Sequence, residues 1–492
     1  MTTSESHSDG ADKQQEDIMS LMRPPRLQPS TTLNKALFSK TVNLAAASVR
    51  DNKKLSNLRQ TLAKSGDILP LDRISAIIPD PDADLAAKGR KCLLLNPSIL
   101  PKQPETWGPV ISELVKKEEV GIVPYELKLE YDYWTYRDVL STLMPEELHE
   151  DIPSGFNTAG HVAHLNLREQ HLPYKQLIGQ VLVEKNQHIR TVINKTDNVG
   201  TESEFRTFGY EVLAGEDDLN VELNENACIF KFDYSKVYWN SKLEKEHTRL
   251  VRLFQPGDVV CDVMAGIGPF AVPAGKRGVF VWANDYNPES YKYLQDAINR
   301  NKASVLYCVQ TVSPYVRPFN EDGRTFIRNA ADSVLAASKA GEAAVVPSKQ
   351  KFSRSNPDAP RPPPTVIPIP PTISHFVMNL PASAIEFLPY YRGVYAGQES
   401  LFAPHTDARL PMVHVHCFAL KSDDDVPRLD VCERVSKYLG ATMRWDGKMV
   451  SSCSDVKAGQ VAVHHVRDVA PAKSMYCASF RLPSEVAFAA RA

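Results

Sequence analysis

The stretch VVCDVMAGIGPFAVPAGKRGVFVWANDYNPES, residues 259–290, constrains the fold more than any other part of the chain. An apolar run leads into a glycine-containing turn, a helical segment follows, and a second apolar run ends at Asp285. Apolar runs at 374–380 and 412–420 continue the pattern, and a helical segment at 290–302 separates them from the first two. Strand and helix that alternate in this way predict an α/β fold with a doubly wound, mostly parallel sheet.

Length and composition narrow the class of protein. A chain of 492 residues is long enough for two or three domains. Its 43% hydrophobic and 24% charged residues are typical of a soluble globular protein. No apolar run approaches the roughly 18 residues that a bilayer span needs. The eight cysteines include no C-x-x-C pair, so the pattern favours a reducing compartment over a disulfide framework or a zinc site.

The N-terminal charge is strongly uneven. Residues 1–19 carry one Lys against five acidic residues, a net charge of 1 − 5 = −4, whereas residues 20–75 carry ten basic residues against three acidic ones, a net of +7. The second segment could contact a phosphate backbone or could be a solvated basic face. Residues 19–50 contain no acidic residue, as in mitochondrial presequences, but the acidic residues ahead of them do not fit an import signal.

Four segments are predicted along the chain. They are a disordered acidic tail at 1–22, a small basic domain at 23–125, a middle α+β domain at 126–235 and a class I Rossmann-like domain at 236–492. A proline-rich insertion at about 340–372 interrupts the last domain and is predicted to be a surface spacer.

Local patterns predict the elements within the smaller domains. Helices are expected at 109–119 and 133–143, and strands at 93–100, 121–127, 176–185, 190–196 and 227–234. At the C-terminal end, residues 461–471 and 474–482 predict two antiparallel strands joined by a turn.

The glycine turn allows three interpretations. Gly266, Gly268 and Ala271 form G-x-G-x-x-A, which suits a dinucleotide, another adenosine ligand or a purely structural turn. Asp262 discriminates between them, because a carboxylate at this strand end repels a pyrophosphate but attracts the ammonium and sulfonium groups of S-adenosylmethionine. The pattern therefore favours S-adenosylmethionine.

Polar residues after the following strands complete this predicted site. Asp285 can accept hydrogen bonds from both ribose hydroxyls, and Asp322 is placed to contact the adenine amino group. Asn379, followed by Leu380 and Pro381, predicts a rigid polar turn beside the methyl group. The sequence departs here from the Asn-Pro-Pro-aromatic pattern of amino-methyltransferases, and the turn could instead only begin a helix at 382–388.

Several blocks together resemble the archaeal and eukaryotic tRNA (guanine-37, guanine-N1)-methyltransferases, and the fungal members above all. They include HVAHLNLREQHLPYKQLIGQVLVEKN, EFRTFGYEVLAGEDDLNVELNEN, FKFDYSKVYWNSKLEKEH, DVMAGIGPFAVPAGKRG, MNLPASAIEFL and VRDVAPAKSMYCASFRLP. The resemblance runs from about residue 23 to residue 488 and omits the proline-rich insertion. It implies methyl transfer from S-adenosylmethionine to N1 of guanosine 37 of tRNA.

The resemblance also implies roles for single residues. Glu246 is the expected base that removes the N1 proton, Arg206 steadies O6, and Asn379 and Pro381 belong to the catalytic turn. The remaining implied contacts are His247, Tyr286 and Gly323 with the donor, beside Asp262, Gly266, Gly268, Asp285, Asp322 and Asn379, and Tyr238 and Lys242 with the target base. Read without the resemblance, Glu246 is a surface acid paired with Arg249 or Arg252.

Other outcomes remain open at this level. The chain could methylate another RNA base or a protein, or it could be a non-catalytic RNA-binding protein with a methyltransferase-like sheet. No metal is expected at His161, His164 and His171, and His414 and His416 are predicted to be sheet residues. The expected partner is tRNA bound by a monomer, away from membranes, in the cytoplasm and nucleus with a mitochondrial matrix fraction.

Overall fold

The computed structural model describes residues 20–69, 73–196, 205, 207–305, 308–346, 363–445, 447 and 456–491. The chain forms two compact units. The first comprises the described part of Met1–Phe156 with Leu167–Val192 and Leu213–Gly215, and the second comprises the described part of Asn157–Asn166, Ile193–Val212 and Glu216–Ala492. The predicted boundaries at 125 and 235 remain predictions.

The first unit contains an antiparallel sheet packed against helices. Its strands are β1 (Lys40–Val49), β2 (Ile77–Pro79), β3 (Lys91–Leu94) and β4 (Val120–Leu129), in the order β2-β3-β1-β4. Its helices are α1 (Leu55–Lys64), α2 (Ala83–Ala87), α3 (Pro109–Lys116), α4 (Tyr136–Leu143) and α5 (Lys175–Lys185). Apolar residues one helical turn apart on α1 and α3 join the alanines and Val49 of β1 in its core.

The predicted strand at 176–185 is wrong, because these residues form α5. Leu177 and Val181, and Ile178 and Leu182, lie four residues apart and are all buried. Because these two pairs lie on adjacent faces of the helix, the sequence shows one nearly continuous apolar run. Such a run does not distinguish a buried strand from a buried helix. Gly179 allows α5 to pack closely against Leu213, since an added Cβ would lie 2.6 Å from Cβ of Leu213.

Four short strands form a second sheet. They are β5 (Asn157–Ala159), β6 (Val162–Leu165), β7 (Thr191–Lys195) and β8 (Tyr210–Gly215), ordered as in the chain. A hairpin of β9 (Asn220–Glu225) and β10 (Cys228–Asp233) comes next. The strands predicted at 190–196 and 227–234 and the helix predicted at 133–143 are thus confirmed.

The second unit is built on an eight-stranded sheet. Its strands are β11 (Val259–Asp262), β12 (Phe280–Asn284), β15 (Val316–Phe319), β18 (His375–Met378), β19 (Met412–Leu420), β20 (Arg444–Trp445), β21 (Gln460–Ala470) and β22 (Lys473–Arg481). The order is β15-β12-β11-β18-β19-β22-β21-β20, and the first five strands are parallel. The C-terminal pair β21 and β22 is antiparallel, as predicted.

Helices pack around this sheet and short elements surround it. The helices are α6 (Glu244–Leu253), α7 (Ala271–Lys276), α8 (Pro288–Arg300), α9 (Gly323–Lys339), α10 (Thr406–Arg409), α11 (Val426–Leu439) and α12 (Ser484–Ala487). Two further hairpins are β13 (Lys302–Val305) with β14 (Cys308–Thr311), and β16 (Ala343–Val346) with β17 (Thr365–Pro368). The helix predicted at 382–388 is a 3-10 helix, Ala384–Tyr391.

The topology fixes where a ligand can bind. From β11 the chain winds outward through β12 and β15, then returns to β18 on the other side of β11. Ligands of open α/β sheets bind outside the carboxyl ends of the strands at such a reversal. Among the described residues, no helix is both long enough and apolar enough to traverse a bilayer.

Candidate active site

A cavity of about 350 Å³ lies at the carboxyl ends of the parallel strands. It is lined by the glycine turn, by the turn that follows β18, and by the first turn of α9. Of the predicted residues it brings together Tyr238, His247, Gly266, Asp285, Tyr286, Asp322, Gly323 and Asn379. The site lies entirely within the second unit.

Asp285 follows β12 and accepts two backbone hydrogen bonds. Its Oδ2 accepts from the N–H of Gly266 at 2.7 Å, and its Oδ1 accepts from the N–H of Asn287 at 3.0 Å. Burial raises the pKa of Asp285, while these hydrogen bonds act in the opposite direction. The carboxylate thereby ties the glycine turn to the end of β12 and still lines the cavity.

Asp262 ends β11 and is completely buried, with 0% of its surface exposed. Neither of its carboxylate oxygens has a hydrogen-bond partner among the described residues. Burial first, and then the charge of Asp285, raise the pKa of Asp262 well above its ordinary value. An unpartnered buried carboxyl is costly. A cationic ligand in the cavity would offset this cost.

Asp322 is the N-cap of α9. Its Oδ1 accepts from the N–H of Arg324 at 2.8 Å, and its Oδ2 pairs with the guanidinium of that residue at 3.0 Å. Gly323 comes next, and an added Cβ there would meet Phe387 at 3.1 Å and Val263 at 3.2 Å. The small residue thus keeps the helix start close to the end of β11.

The glycine turn needs backbone conformations that other residues rarely adopt. Gly266 and Gly268 have φ of +56° and +96°. An added Cβ at Gly268 would lie 2.7 Å from Leu294 and 2.9 Å from Val272, whereas one at Gly266 would meet nothing within 4 Å. Gly268 therefore permits close packing of α7 and α8, and Gly266 leaves open the side that faces the cavity.

The turn after β18 adds a second unpartnered group. Asn379 lines the cavity, and its buried Oδ1 has no hydrogen-bond partner among the described residues. Pro381 is buried and does not line the cavity, but its carbonyl accepts from the N–H of Phe418 in β19 at 3.1 Å. The turn is thus fixed from the backbone while the amide oxygen of Asn379 stays available.

His247 and several aromatic residues also line the cavity. His247 is buried and donates from Nδ1 to Glu225 at 2.5 Å, and its ring meets Phe270 edge to face at 4.7 Å. Tyr286 is 53% exposed, and its ring centre lies 5.8 Å from that of Phe205. These rings supply flat apolar surfaces beside the carboxylates, as a nucleoside site requires.

Glu246 does not line the cavity and is 3% exposed. Arg249 donates to both of its oxygens, from Nε to Oε2 at 2.7 Å and from a terminal nitrogen to Oε1 at 2.8 Å. His416 donates from Nε2 to Oε1 at 2.8 Å. Burial would raise the pKa of Glu246, but the hydrogen bonds from Arg249 and His416 outweigh it and lower the pKa. The alternative of a surface acid is therefore wrong about exposure, but its pairing with Arg249 is confirmed.

Five of the predicted residues that the structure describes do not line the cavity, namely Lys242, Glu246, Asp262, Gly268 and Pro381. Lys242 is exposed and not among the lining residues, and partial burial followed by the nearby Arg467 lowers its pKa. Arg206, predicted to steady O6, lies outside the described residues. Its adjacent residue Phe205 is described and lines the cavity.

Some site residues carry no signal in the sequence. Trp239, Phe270 and Phe387 line the cavity, and such aromatic residues look like ordinary core residues in a single sequence. Glu225 contacts His247 from 22 residues earlier in the chain, and His416 contacts Glu246 from 170 residues later. His414 and His416 are sheet residues, as predicted, but His416 also bonds to Glu246. Glu246, His416 and Cys477 lie close enough to hold a metal, but the guanidinium of Arg249 already occupies the carboxylate.

Comparison with known proteins places this geometry in context. A family model described as the TRM5/TYW2 methyltransferase domain matches residues 221–338, and one described as the TYW2 N-terminal domain matches residues 136–218. A protein of Neurospora crassa named tRNA (guanine(37)-N(1))-methyltransferase is 59% identical over 100% of both chains. One of the same name from Fusarium vanettenii is 58% identical over 96% of this chain and 98% of its own.

Two solved structures share the fold. Trm5b from Pyrococcus abyssi is 20% identical and matches 89% of this chain and 99% of its own with a TM-score of 0.54. A structure described as a complex of aTrm5 and tRNALeu is 18% identical, with the same coverage and a TM-score of 0.56. At these identities the likeness concerns the fold alone.

Proposed function

The chain belongs to the TRM5/TYW2 methyltransferase family, and we propose that it uses the cavity at the ends of β11, β12, β15 and β18 to methylate N1 of guanosine 37 of tRNA. The observation that carries this proposal is the set of acidic residues after three neighbouring strands, with Asp262 and Asn379 unpartnered. S-adenosylmethionine, when bound, supplies an electrophilic methyl group.

The residues of the cavity fit this donor. The buried carboxyl of Asp262, which precedes the lining residue Val263, suits a cationic group, and Asp285 lines the cavity as an acceptor for ribose hydroxyls. Asp322 and the N–H groups at the start of α9 suit an adenine edge. We propose that the aromatic pair of Phe205 and Tyr286 covers the purine ring.

Guanine N1 carries a proton at neutral pH, so it becomes a nucleophile only when that proton leaves. We propose that Glu246 accepts the proton. Its pKa is lowered, so the carboxylate is ionised before the base arrives. Oε1 accepts from both Arg249 and His416, whereas Oε2 accepts only from Arg249 and retains a lone pair. We therefore assign proton acceptance to Oε2.

Access to Oε2 requires local movement, since Glu246 is buried. Two partly exposed groups lie beside Oε2, namely Arg249 at 2.7 Å and His464, whose Nε2 lies 3.9 Å away. Burial, followed by the charge of Arg249, lowers the pKa of His464 to about 4, so this ring is neutral at physiological pH. Guanine 37 also has to leave the stack of its loop to reach the site. Negative charge then develops toward O6, where the proposed partner is Arg206.

The discriminating experiment is methylation of an in vitro tRNA transcript with guanine at position 37, against the same transcript with adenine there. We expect methyl transfer to the first only, with the product base identified as 1-methylguanine by nuclease digestion and mass spectrometry. Methylation at another position, or of protein alone, would replace the proposed substrate. Donor binding without any transfer would favour a non-catalytic RNA-binding protein.

We further propose that the enzyme acts as a monomer in the cytoplasm and nucleus, with a fraction in the mitochondrial matrix. The acid-free segment 19–50 supports import. However, Lys40–Val49 form β1 in the core of the first unit, so only the residues ahead of β1 could serve as a removable signal. Fluorescent fusions beginning at Met1 or at Met19 would test this, because a mitochondrial signal is expected from the shorter form. Light scattering would test the monomer.

A further inference from the structure

His416 connects two parts of the active site from within the sheet. Its ring is completely buried in β19. Nε2 donates to Oε1 of Glu246 at 2.8 Å, and Nδ1 donates to the carbonyl of Met378 at 3.2 Å. Met378 is the last residue of β18 and immediately precedes Asn379. One imidazole thus joins the proposed base to the turn that lines the cavity.

Both partners of this ring are acceptors. A backbone carbonyl has no proton to give, and Glu246 already receives two hydrogen bonds from Arg249. Both hydrogen bonds of His416 form only when both ring nitrogens carry protons. Burial alone would lower the pKa of His416, but Cys477 and Glu246 beside the ring outweigh it and raise the pKa to about 10.

We propose that His416 is a positioning residue for methyl transfer, since it anchors Oε1 of Glu246 so that Oε2 is oriented to take the N1 proton of guanine. This inference rests on the proposed role of Glu246 as the base. The imidazole acts through Glu246 and not by contact with the substrate. Arg249 holds the same carboxylate from α6, whereas His416 holds it from the sheet and fixes its distance from the Asn379 turn.

The surroundings of His416 explain why its removal should be felt at Glu246. The titratable and charged groups that face it are Glu246 and Arg249 from α6, Asp262 from β11, His414 from β19, His464 from β21 and Cys477 from β22. Without the imidazolium, Glu246 would lose one hydrogen bond and one positive neighbour. Its pKa would rise, and its carboxylate could rotate about the contact with Arg249.

The test is a double-mutant cycle of His416→Gln and Glu246→Gln, followed by single-turnover methylation of a guanine-37 transcript at saturating S-adenosylmethionine. General-base catalysis contributes about 10²–10⁴-fold, so loss of its orientation should slow His416→Gln at least about tenfold. The double variant should be no slower than Glu246→Gln, because a residue that acts through Glu246 has no effect once that base is gone.

His414→Gln is the matched control. His414 lies two residues earlier on the same face of β19 and is equally buried, but it contacts His375 at 3.1 Å and Ser479 at 2.8 Å. We expect its transfer rate to stay within about threefold of wild type, below the scale of a general-base effect. Calorimetric affinity for S-adenosylmethionine shows that each variant is folded, and His416→Asn replaces His416→Gln if the latter does not fold.

The pH profile gives a second readout. Glu246 must be ionised to act, so a raised pKa removes activity as the pH falls. We expect His416→Gln to lose its transfer rate more steeply than wild type between pH 6 and pH 4, because loss of the imidazolium moves the pKa of Glu246 back toward its ordinary value. A purely structural defect would lower the rate equally at all pH values and overturn the inference.

The outcomes separate the two levels of the proposal. If Glu246→Gln retains full activity, the proposed base and the positioning role both fail. If Glu246→Gln is slow but His416→Gln transfers as fast as wild type, only the positioning role fails. It also fails if His416→Gln slows the Glu246→Gln enzyme by the same factor as wild type.

Discussion

The donor cavity and the network around Glu246 both place acidic groups in a dry interior, but they treat these groups in opposite ways. Asp262 is wholly buried without a partner among the described residues, whereas Glu246 accepts three hydrogen bonds. Accordingly, the pKa of Asp262 is raised and that of Glu246 is lowered. An unpartnered group marks a place where a ligand completes the site, whereas a group held by several hydrogen bonds is one whose ionisation the protein has set.

Glu246→Gln should cause the largest change, in the rate of methyl transfer. It should slow single-turnover methylation about 10²–10⁴-fold while the affinity for S-adenosylmethionine stays unchanged. It should also lower the unfolding temperature, because Arg249 and His416 then lose a charged partner inside the protein. The measurement is a quench-flow time course together with calorimetry and a thermal melt.

Glu244→Gln is the control for that variant. Glu244 is exposed on the first turn of the same helix, so both its rate and its melting temperature should match wild type. A Glu246→Gln enzyme that is equally fast would show that Glu246 is not the base.

Asp262→Asn should show the opposite combination. The affinity for S-adenosylmethionine should fall about 10–100-fold, since a charge-assisted contact is worth about 1.5–3 kcal/mol. Stability of the ligand-free protein should be retained or increased, because the substitution removes an unpartnered buried carboxyl. Calorimetric titration and urea unfolding measure the two quantities. A large loss of stability with unchanged affinity would mean that Asp262 supports the fold and not the ligand.

Gly268→Ala and Gly266→Ala should distinguish a glycine that packs against the helices from a glycine that faces the cavity. Its new Cβ would contact Leu294 and Val272, and we expect the free energy of unfolding to fall by about 1–3 kcal/mol. Gly266→Ala meets open space at a similarly positive φ, so it should lose only about 1 kcal/mol. Urea unfolding of the two variants gives the comparison, and equal losses would show that packing against α8 does not decide the turn.

The smallest change that we expect is the release of a proton when S-adenosylmethionine binds. The pKa of Asp262 is raised in the ligand-free protein, and a cation beside it would lower that pKa again. Binding of S-adenosylmethionine should therefore release a proton, and its affinity should rise with pH by at most about tenfold per unit until the ligand-free carboxyl is ionised. Calorimetry in buffers of different ionisation enthalpy measures the proton, and its persistence in Asp262→Asn would assign it elsewhere.

The same comparison shows what the sequence can predict. Asp262, Asp285 and Asn379 follow apolar runs that must be strands, and parallel strands bring their carboxyl ends to one edge, so their meeting could be predicted from spacing. Glu246 and His416 lie 170 residues apart, and no local pattern pairs them. The strand predicted at 176–185 was wrong for a related reason. This segment is the helix α5, and tertiary packing buries it on more than one face, so its apolar residues show no clear helical period.

Calorimetric titration of the donor into Asp285→Ala and Asp296→Ala tests most directly whether the strand-end carboxylates form the S-adenosylmethionine site. Asp285 lines the cavity between β11 and β15, whereas Asp296 pairs with Arg300 on α8 outside it. We expect one-to-one binding by wild type and by Asp296→Ala, and an affinity at least about tenfold weaker in Asp285→Ala. Binding by Asp285→Ala as tight as that of wild type would show that these carboxylates do not form the donor site.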